Sequence, residues 1–311
     1  MNGFLTGFDG SVWALPPLLR WEAEHGLGSP CDAFSVSFLY ESDFLEMLDA
    51  ATRFRAEHEG ETVFSGVVDE YEIRVGQKGA VVTVRGRGLA ALLLDNEAEA
   101  AEYYNPGTAF ILQNHVYPWG ITEVRTGAEI RTGLLSVSGG SSQWRVVEDF
   151  FRFCGGIQPR FSKERILLLD GSGGRDLLLD GSAAITEQVY TGTRCGVISE
   201  VLVKMRNGAQ SLVENEEFKA RGGNCRRVVY VPRKVGFDGM RHTGAYQIQR
   251  SEEDRRLCRI TLPQLFAAFP GDRVTMTESP AGLHGRFTVC GSRSWANAET
   301  AGTVLDMRQE E

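Results

Sequence analysis

Along residues 34–39 apolar and polar positions alternate, so that Phe34, Val36 and Phe38 share one face of a strand and Ser35, Ser37 and Leu39 the other. The stretches 51–57, 62–71 and 80–85 continue in β-rich style, divided by the turn-forming runs His58-Glu59-Gly60 and Gly76-Gln77-Lys78-Gly79. Strands joined by such short turns predict an antiparallel meander, closed as a small barrel or sandwich. The pattern then changes. Leu-Ala-Ala-Leu-Leu-Leu at 89–94 is strong helix-forming sequence directly after a glycine-rich turn.

Between residues 95 and 186 the periodicity is mixed. A helix is predicted over 108–116, stopped by Pro118 and Gly120, and a second over 143–154, stopped by Gly155-Gly156. In the second, Trp144, Val147, Phe151 and Cys154 recur at spacings of three and four and make one apolar stripe, which core packing explains without any cofactor. Short strands are expected over 165–169 and 175–179. They carry the near-duplicate Leu-Leu-Leu-Asp-Gly-Ser at 167–172 and 177–182, read as two strands with matching turns.

From about residue 187 the text returns to β. Residues 201–205 and 210–213 flank Asn207-Gly208, a pair that accepts the positive φ angles of a type I′ hairpin turn. Further strands are expected over 227–231, 245–250, 257–262, 273–277 and 285–290. A faint echo links the two ends of the chain: Gly60-Glu61-Thr62-Val63 then Gly66-Val67-Val68 against Gly271-Asp272-Arg273-Val274 then Gly285-Arg286-Phe287-Thr288-Val289. The expected fold class is mainly β with an α+β middle: a first small antiparallel barrel over 1–94, a mixed α/β domain over 95–186 and a second barrel over 187–311.

Composition narrows the function classes. With 311 residues, 42% hydrophobic and 24% charged, the chain can bury two or three cores and has no segment of disorder-like composition. A net charge of −8 opposes binding nucleic acid by phosphate neutralisation, and the adjacent basic pairs Arg226-Arg227 and Arg255-Arg256 make no patch. No apolar run is long enough for a signal peptide or a membrane span, so the protein is expected to be made and kept in the cytosol. The six cysteines, Cys31, Cys154, Cys195, Cys225, Cys258 and Cys290, form no Cys-x-x-Cys pair and read as reduced thiols.

Candidate chemistry is sparse. Gly86-Arg87-Gly88-Leu89-Ala90-Ala91 matches Gly-x-Gly-x-x-Ala between strand and helix, the arrangement that cradles a pyrophosphate. Its context fails, because the preceding strands read as antiparallel and no acidic strand end follows, so a tight turn is expected. Asp170-Gly171-Ser172-Gly173-Gly174 lacks the Gly-Lys-Ser/Thr ending of a phosphate loop, and Asp170, Asp176 and Asp180 complete no calcium series. His25, His58, His115, His242 and His284 show no zinc spacing, and Ser141 and Ser142 sit in no nucleophile elbow. Glu41/Asp43 and Glu216/Glu217 are carboxylate pairs of the kind a glycosidase uses, but with 41 acidic residues such pairs are inevitable. No catalytic, cofactor-binding or metal-binding residue is nominated, and no cofactor is expected.

Three segments carry a resemblance: Pro30-Cys31-Asp32-Ala33-Phe34, residues 61–70 (Glu-Thr-Val-Phe-Ser-Gly-Val-Val-Asp-Glu), and residues 84–97, from Val-Arg-Gly-Arg-Gly to Asp-Asn-Glu. With His115-Val116-Tyr117-Pro118-Trp119-Gly120-Ile121, they resemble the baseplate hub proteins of contractile phage tails and phage-tail-like bacteriocins, of the late-control-protein-D type found in phage-like elements of Gram-positive bacteria. The recognisable wording covers about the first 120 residues, with looser agreement near 271–294. The resemblance implies a non-enzymatic homotrimer in which each chain gives two tube-like barrels, making a ring of six similar units between a hexameric tail tube and a trimeric central spike. It also implies baseplate wedge proteins, a tape-measure protein and a tail lysin as neighbours, assembly in the bacterial cytoplasm and residence in a virion or tail-like particle. DNA would pass through the lumen without specific binding, past a negatively charged lining. Two other readings are a β-rich tail-tip, receptor-binding or adhesion component and a cell-wall hydrolase.

Overall fold

The computed structural model describes residues 1–26, 31–77, 79–171, 173–205, 208–231, 237–253 and 255–310. The chain opens with strands β1 (Asn2–Gly7), β2 (Val12–Ala14), β3 (Arg20–Gly26) and β4 (Ala33–Leu39). A helix, α1 (Phe44–Ala50), runs directly into β5 (Ala51–His58), and the long hairpin β6 (Glu61–Gly76) and β7 (Gly79–Gly88) follows. The alternation at 34–38 turns Phe34, Val36 and Phe38 inward, onto Phe54 of β5 and Phe64 of β6. Phe34 and Phe54 stack with ring centroids 4.2 Å apart, a geometry worth ~0.5–1.5 kcal/mol beyond the area it buries. A Cβ on Gly86 would lie 1.9 Å from the Val67 carbonyl oxygen, and one on Gly66 2.1 Å from that of Arg87. Glycine at both places is what lets β6 and β7 cross so closely.

The middle of the chain holds α2 (Ala91–Leu94), β8 (Ala101–Tyr104), α3 (Thr108–His115), β9 (Val124–Thr126), β10 (Leu134–Val137), α4 (Gln143–Gly155), β11 (Arg160–Phe161), β12 (Leu167–Leu169) and β13 (Asp176–Leu179). The helix expected over 89–94 shrinks to one turn, because β7 runs on to Gly88 and Leu89 is used to fill a small buried cluster with Val67 and Ala91. α4 begins where Ser142 Oγ accepts the Arg145 amide at 3.2 Å and ends at Gly156, whose φ of +66° makes the left-handed cap. Its buried face is wider than the predicted stripe: Trp144, Val147, Phe150 and Phe151 all enter one core with Ile111 and Leu167. The duplicated Leu-Leu-Leu segments do not pair with each other. β12 lies between β11 and β9 with all three leucines buried, whereas β13 runs parallel to a C-terminal strand and leaves Leu178 exposed.

The last part comprises β14 (Glu187–Gly192), β15 (Glu200–Met205), β16 (Gln210–Glu214), α5 (Glu216–Ala220), β17 (Arg226–Val231), α6 (Phe237–Glu252), β18 (Arg256–Leu262), β19 (Arg273–Met276), β20 (Gly285–Asn297) and β21 (Ala301–Gln309). β15 and β16 form the expected hairpin, although Asn207 of its turn, like Pro30, Lys78 and Ser172, lies outside the described residues. The strand expected over 245–250 is helix instead, within α6. Tyr246 and Ile248 alternate with glutamines as in a strand, but Met240, Thr243 and Ile248 are buried at helical intervals and Gly244 sits hard against the sheet below. With β15, β16 and β17, α6 makes an α/β unit around Val201, Val203, Met240 and Ile248.

Both ends of the chain contribute to one thirteen-stranded, predominantly antiparallel sheet, in which β13–β19 is the one parallel pair among the described residues. Two separate cores lie within its folds. The N-terminal one gathers the phenylalanines of β4, β5 and β6; the C-terminal one gathers Ile260, Leu262, Phe287, Val289, Leu305 and Met307.

Candidate functional site

The sheet contains an unbroken run of eight strands in the order β14-β18-β21-β20-β3-β4-β7-β6, every adjacent pair antiparallel. Four come from each end of the chain. They meet at the β20–β3 pair, where Arg293 lies opposite Glu24, Trp295 opposite Glu22 and Asn297 opposite Arg20. Alternation sends one set of side chains into the two cores and the other to solvent. The solvent face is polar and cross-linked by charge: Arg259 to Asp306 at 2.6 Å, Arg293 to Glu22 at 2.9 Å and Arg85 to Glu70 at 2.7 Å. Ser37 and Thr83 hydroxyls bond across β4 and β7 at 3.0 Å.

The two halves repeat one plan. β6 carries a bulge between Val68 and Glu70, and β20 one between Val289 and Gly291. Before its bulge each strand pairs with a neighbour from its own half, β6 with β5 and β20 with β19. After the bulge β20 pairs with β3, but β6 has β7 on one side and, among the described residues, no strand on the other. β14, at the far end of the run, is likewise paired on one side only. The sequence echo is half upheld by this repeat. Gly66–Val68 and Gly285–Val289 fall on equivalent strands, whereas residues 60–63 open β6 and 271–274 open β19, which correspond to different positions.

The motifs singled out in the sequence have structural occupations. The tight turn expected at Gly86–Gly88 is strand instead, because both glycines lie within β7 and pair with β6. Arg87 between them binds two carboxylates, Asp69 through Nε and Nη2 at 2.8 Å and Asp95 through Nη1 at 2.9 Å and Nη2 at 2.8 Å. These bonds raise the Arg87 pKa and hold Asp95 below the usual carboxylate range. The arginine thus supplies its own anions. Asp180 accepts from the Ser182 amide and hydroxyl, which lowers its pKa; Asp170 faces Arg125 at 3.9 Å, and Asp176 stands exposed at the start of β13.

His25 Nδ1 contacts Asp32 at 3.0 Å, His115 Nδ1 contacts Gln143 at 2.7 Å, and His242 and His284 are exposed. Among the described residues no three His, Cys, Asp or Glu side chains are placed to share a metal ion. Ser142 is the α4 cap, and Glu41, Asp43, Glu216 and Glu217 stand exposed at the starts of α1 and α5. Burial pushes the Cys31 thiol up to about 12 and raises those of Cys154, Cys258 and Cys290. Thiols held protonated in this way are poor nucleophiles.

Sequence reading missed Asp272, which is 4% exposed. It accepts the amides of Phe269 and Arg175 and pairs with Arg175 Nη2 at 2.9 Å, tying the approach to β13 to the C-terminal core. Nearby, Arg160 donates to the Pro270 carbonyl at 2.8 Å on the wall of a cleft of about 650 Å³, where Arg175 and Lys163 are also ion-paired. No sequence pattern gave these residues partners, since their ion pairs and the Arg160 bond span about a hundred positions. Among the described residues no helix is long and apolar enough to cross a membrane.

This architecture, two antiparallel cores under one shared sheet together with mixed α/β elements, is a fold shared with phage tail proteins of known structure. The tail protein of Neisseria meningitidis MC58 superposes with a TM-score of 0.78 over 99% of this chain and 96% of its own, at 14% identity. The 43 kDa tail protein of prophage MuSo2 from Shewanella oneidensis gives 0.75 over 99% and 98%, at 15% identity. The E. coli c3393 protein, a type VI secretion component described as similar to T4 tail proteins gp27 and gp5, gives 0.59 over 94% and 74%, at 11% identity. No protein-family model and no curated protein matches the chain.

Proposed function

We propose that this chain is a structural hub of a phage-type baseplate, a homotrimer whose pseudo-sixfold ring joins a hexameric tail tube to a trimeric spike. The observation that carries the reading is the eight-stranded run. One chain presents the same four-strand plan twice, side by side in one sheet, as a threefold ring with six similar units requires. The fold shared with tail proteins supports it. In this reading residues 1–94 and 187–311 hold the tube-like domains, the second interrupted by the α/β unit of β15–β17 and α6, with 95–186 the mixed domain, and the particle is a virion or a tail-like injection device.

The polar face of the run is then the channel wall. Its carboxylates are matched by arginines rather than left in excess, so the lining is charge-balanced and polar, and the acidic lumen expected from net charge is dropped from the reading. Such a surface binds a passing polyanion weakly without a uniform field. The role is structural and no reaction is assigned to it.

Light scattering on the purified protein tests the ring directly. A mass three times that of the 34.3 kDa chain is expected, with threefold or sixfold-like rings in negative stain. A monomer that persists at high concentration overturns the free trimer. Release of soluble fragments from peptidoglycan by the pure protein overturns the non-enzymatic role.

A further inference from the structure

We propose that Arg53 of β5 and Arg165 of the turn between β11 and β12, with the Ser65 hydroxyl of β6 beneath them, bind one oxyanion where the first barrel meets the middle of the chain. The ligand chemistry is that of a phosphate or a carboxylate, whose oxygens match the donors of a guanidinium. The site is independent of the ring reading and uses none of its strand edges.

The turn is held rigid and seated on the barrel. Ser162 N donates to the Ile166 carbonyl at 2.9 Å and Arg165 N to the Ser162 carbonyl at 3.1 Å, while Ser162 Oγ accepts the amides of Glu164 and Ile166. Just before the turn, Phe161 packs on the buried cluster that holds Val67 of β6. Within it, Lys163 Nζ meets Glu61, at the start of the same strand, at 2.9 Å. The turn thus lies along β6 between Val67 and Glu61, and Ser65 falls in that stretch.

Register puts the groups on one face. Phe54 and Phe64 point into the barrel core, so Arg53, Arg55, Ser65 and Val67 point out of it. Arg53 stands opposite Val67 and diagonal to Ser65. Its neighbour Arg55 is engaged elsewhere, with Glu57 at 2.6 Å and over the Phe4 ring at 4.8 Å. Arg53 donates from Nη1 to the Thr52 carbonyl at 3.3 Å. Burial lowers its pKa and the charge of Arg165 lowers it further, so the two guanidiniums share one neighbourhood.

That neighbourhood lacks a counter-charge. The chain has 41 acidic residues, yet among the described residues no carboxylate pairs with Arg53 or Arg165. Those of the adjoining segments are taken, Glu61 and Glu164 by Lys163 and Glu57 by Arg55. Ser65 Oγ is buried and has no hydrogen-bond partner among the described residues. A half-buried cation and a buried hydroxyl are both costly to leave unmatched, and one oxyanion satisfies both. Arg165 itself is exposed, which opens the site to solvent, and its φ of +78° is a conformation that glycine adopts more easily.

Calorimetric titration of the full-length protein tests the site, with inorganic phosphate and with acetate as probes at constant ionic strength. One phosphate per chain is expected to bind. Arg53→Gln and Arg165→Gly should each weaken it by about tenfold or more, the loss of one charge-assisted contact. Arg74→Gln, which removes an exposed arginine paired with Glu72, should leave binding unchanged. Arg165→Gly should also keep or raise the urea midpoint, because glycine suits the left-handed turn, so its loss of binding is not a loss of fold. Phosphate binding that acetate does not displace marks a free tetrahedral anion as the occupant. Displacement by acetate, abolished in Arg165→Gly, marks a carboxylate of the kind a partner chain presents. Absence of binding by both probes, or equal binding by parent and Arg165→Gly, overturns the site.

Discussion

His115 is 3% exposed, its Nδ1 meets Gln143, and its Nε2 has no hydrogen-bond partner among the described residues. Burial pushes its pKa below the ordinary 6.5, so it folds neutral. As pH falls, the unfolded chain takes up this proton before the folded one does. The stability tied to His115 is therefore complete above about 6.5 and is lost on acidification toward the lower folded value. Urea midpoints at pH 8 and pH 5.5 check this: the advantage of the parent over His115→Gln should narrow at the lower pH. An advantage that widens on acidification would refute the assignment. Gly244 is the other decisive single residue. A Cβ there would sit 2.5 Å from Val213 Cγ2 and 2.9 Å from Val213 Cβ. Helix propensity alone favours alanine by ~1 kcal/mol. Overpacking against the sheet outweighs it, and Gly244→Ala should lose about 1–3 kcal/mol in urea unfolding.

At the level of elements, α4 shows local sequence sufficing. The Ser142 cap, the apolar spacing and Gly156 all fall where chemistry places them, and both boundaries were legible. Ser142→Ala should cost ~0.5–2 kcal/mol by denaturant midpoint, the range for losing a capping oxygen. α6 shows the opposite. Its 245–250 stretch carries a two-residue alternation that argues for a strand, and only the packing of Met240, Gly244 and Ile248 on β15 and β16 selects helix. β3 and β21 escaped sequence reading for a related reason. β3 buries Trp21, Ala23 and His25 between charged residues, and the histidine among them is not a residue that announces a core. Yet β3 is the strand that joins the two halves.

For the whole molecule, the decisive fact is that β20 divides its partners, β19 before the bulge and β3 after it. That division fuses two cores under one sheet and, among the described residues, leaves β14 and the part of β6 beyond its bulge paired on one side only. In the proposed ring, contacts made along these strand edges by backbone hydrogen bonds, rather than by exposed ion pairs, should resist dissociation by salt. Sedimentation in low and high salt should give the same mass. Dissociation in moderate salt would point to a charge-held contact instead.

The first barrel's alternation, the capped α4, the β15–β16 hairpin and the lack of any complete catalytic motif were determined by the sequence itself. Each depends on neighbours within a few positions. Tertiary structure alone decided that the two barrels share a sheet, that the duplicated leucine strands part company, that residues 245–250 are helical, and which strand edges remain open. Those outcomes depend on pairings between segments up to 271 residues apart, such as Arg293 with Glu22. The same alternation is compatible with many partners, and only the pairing of strands in the folded chain chooses among them.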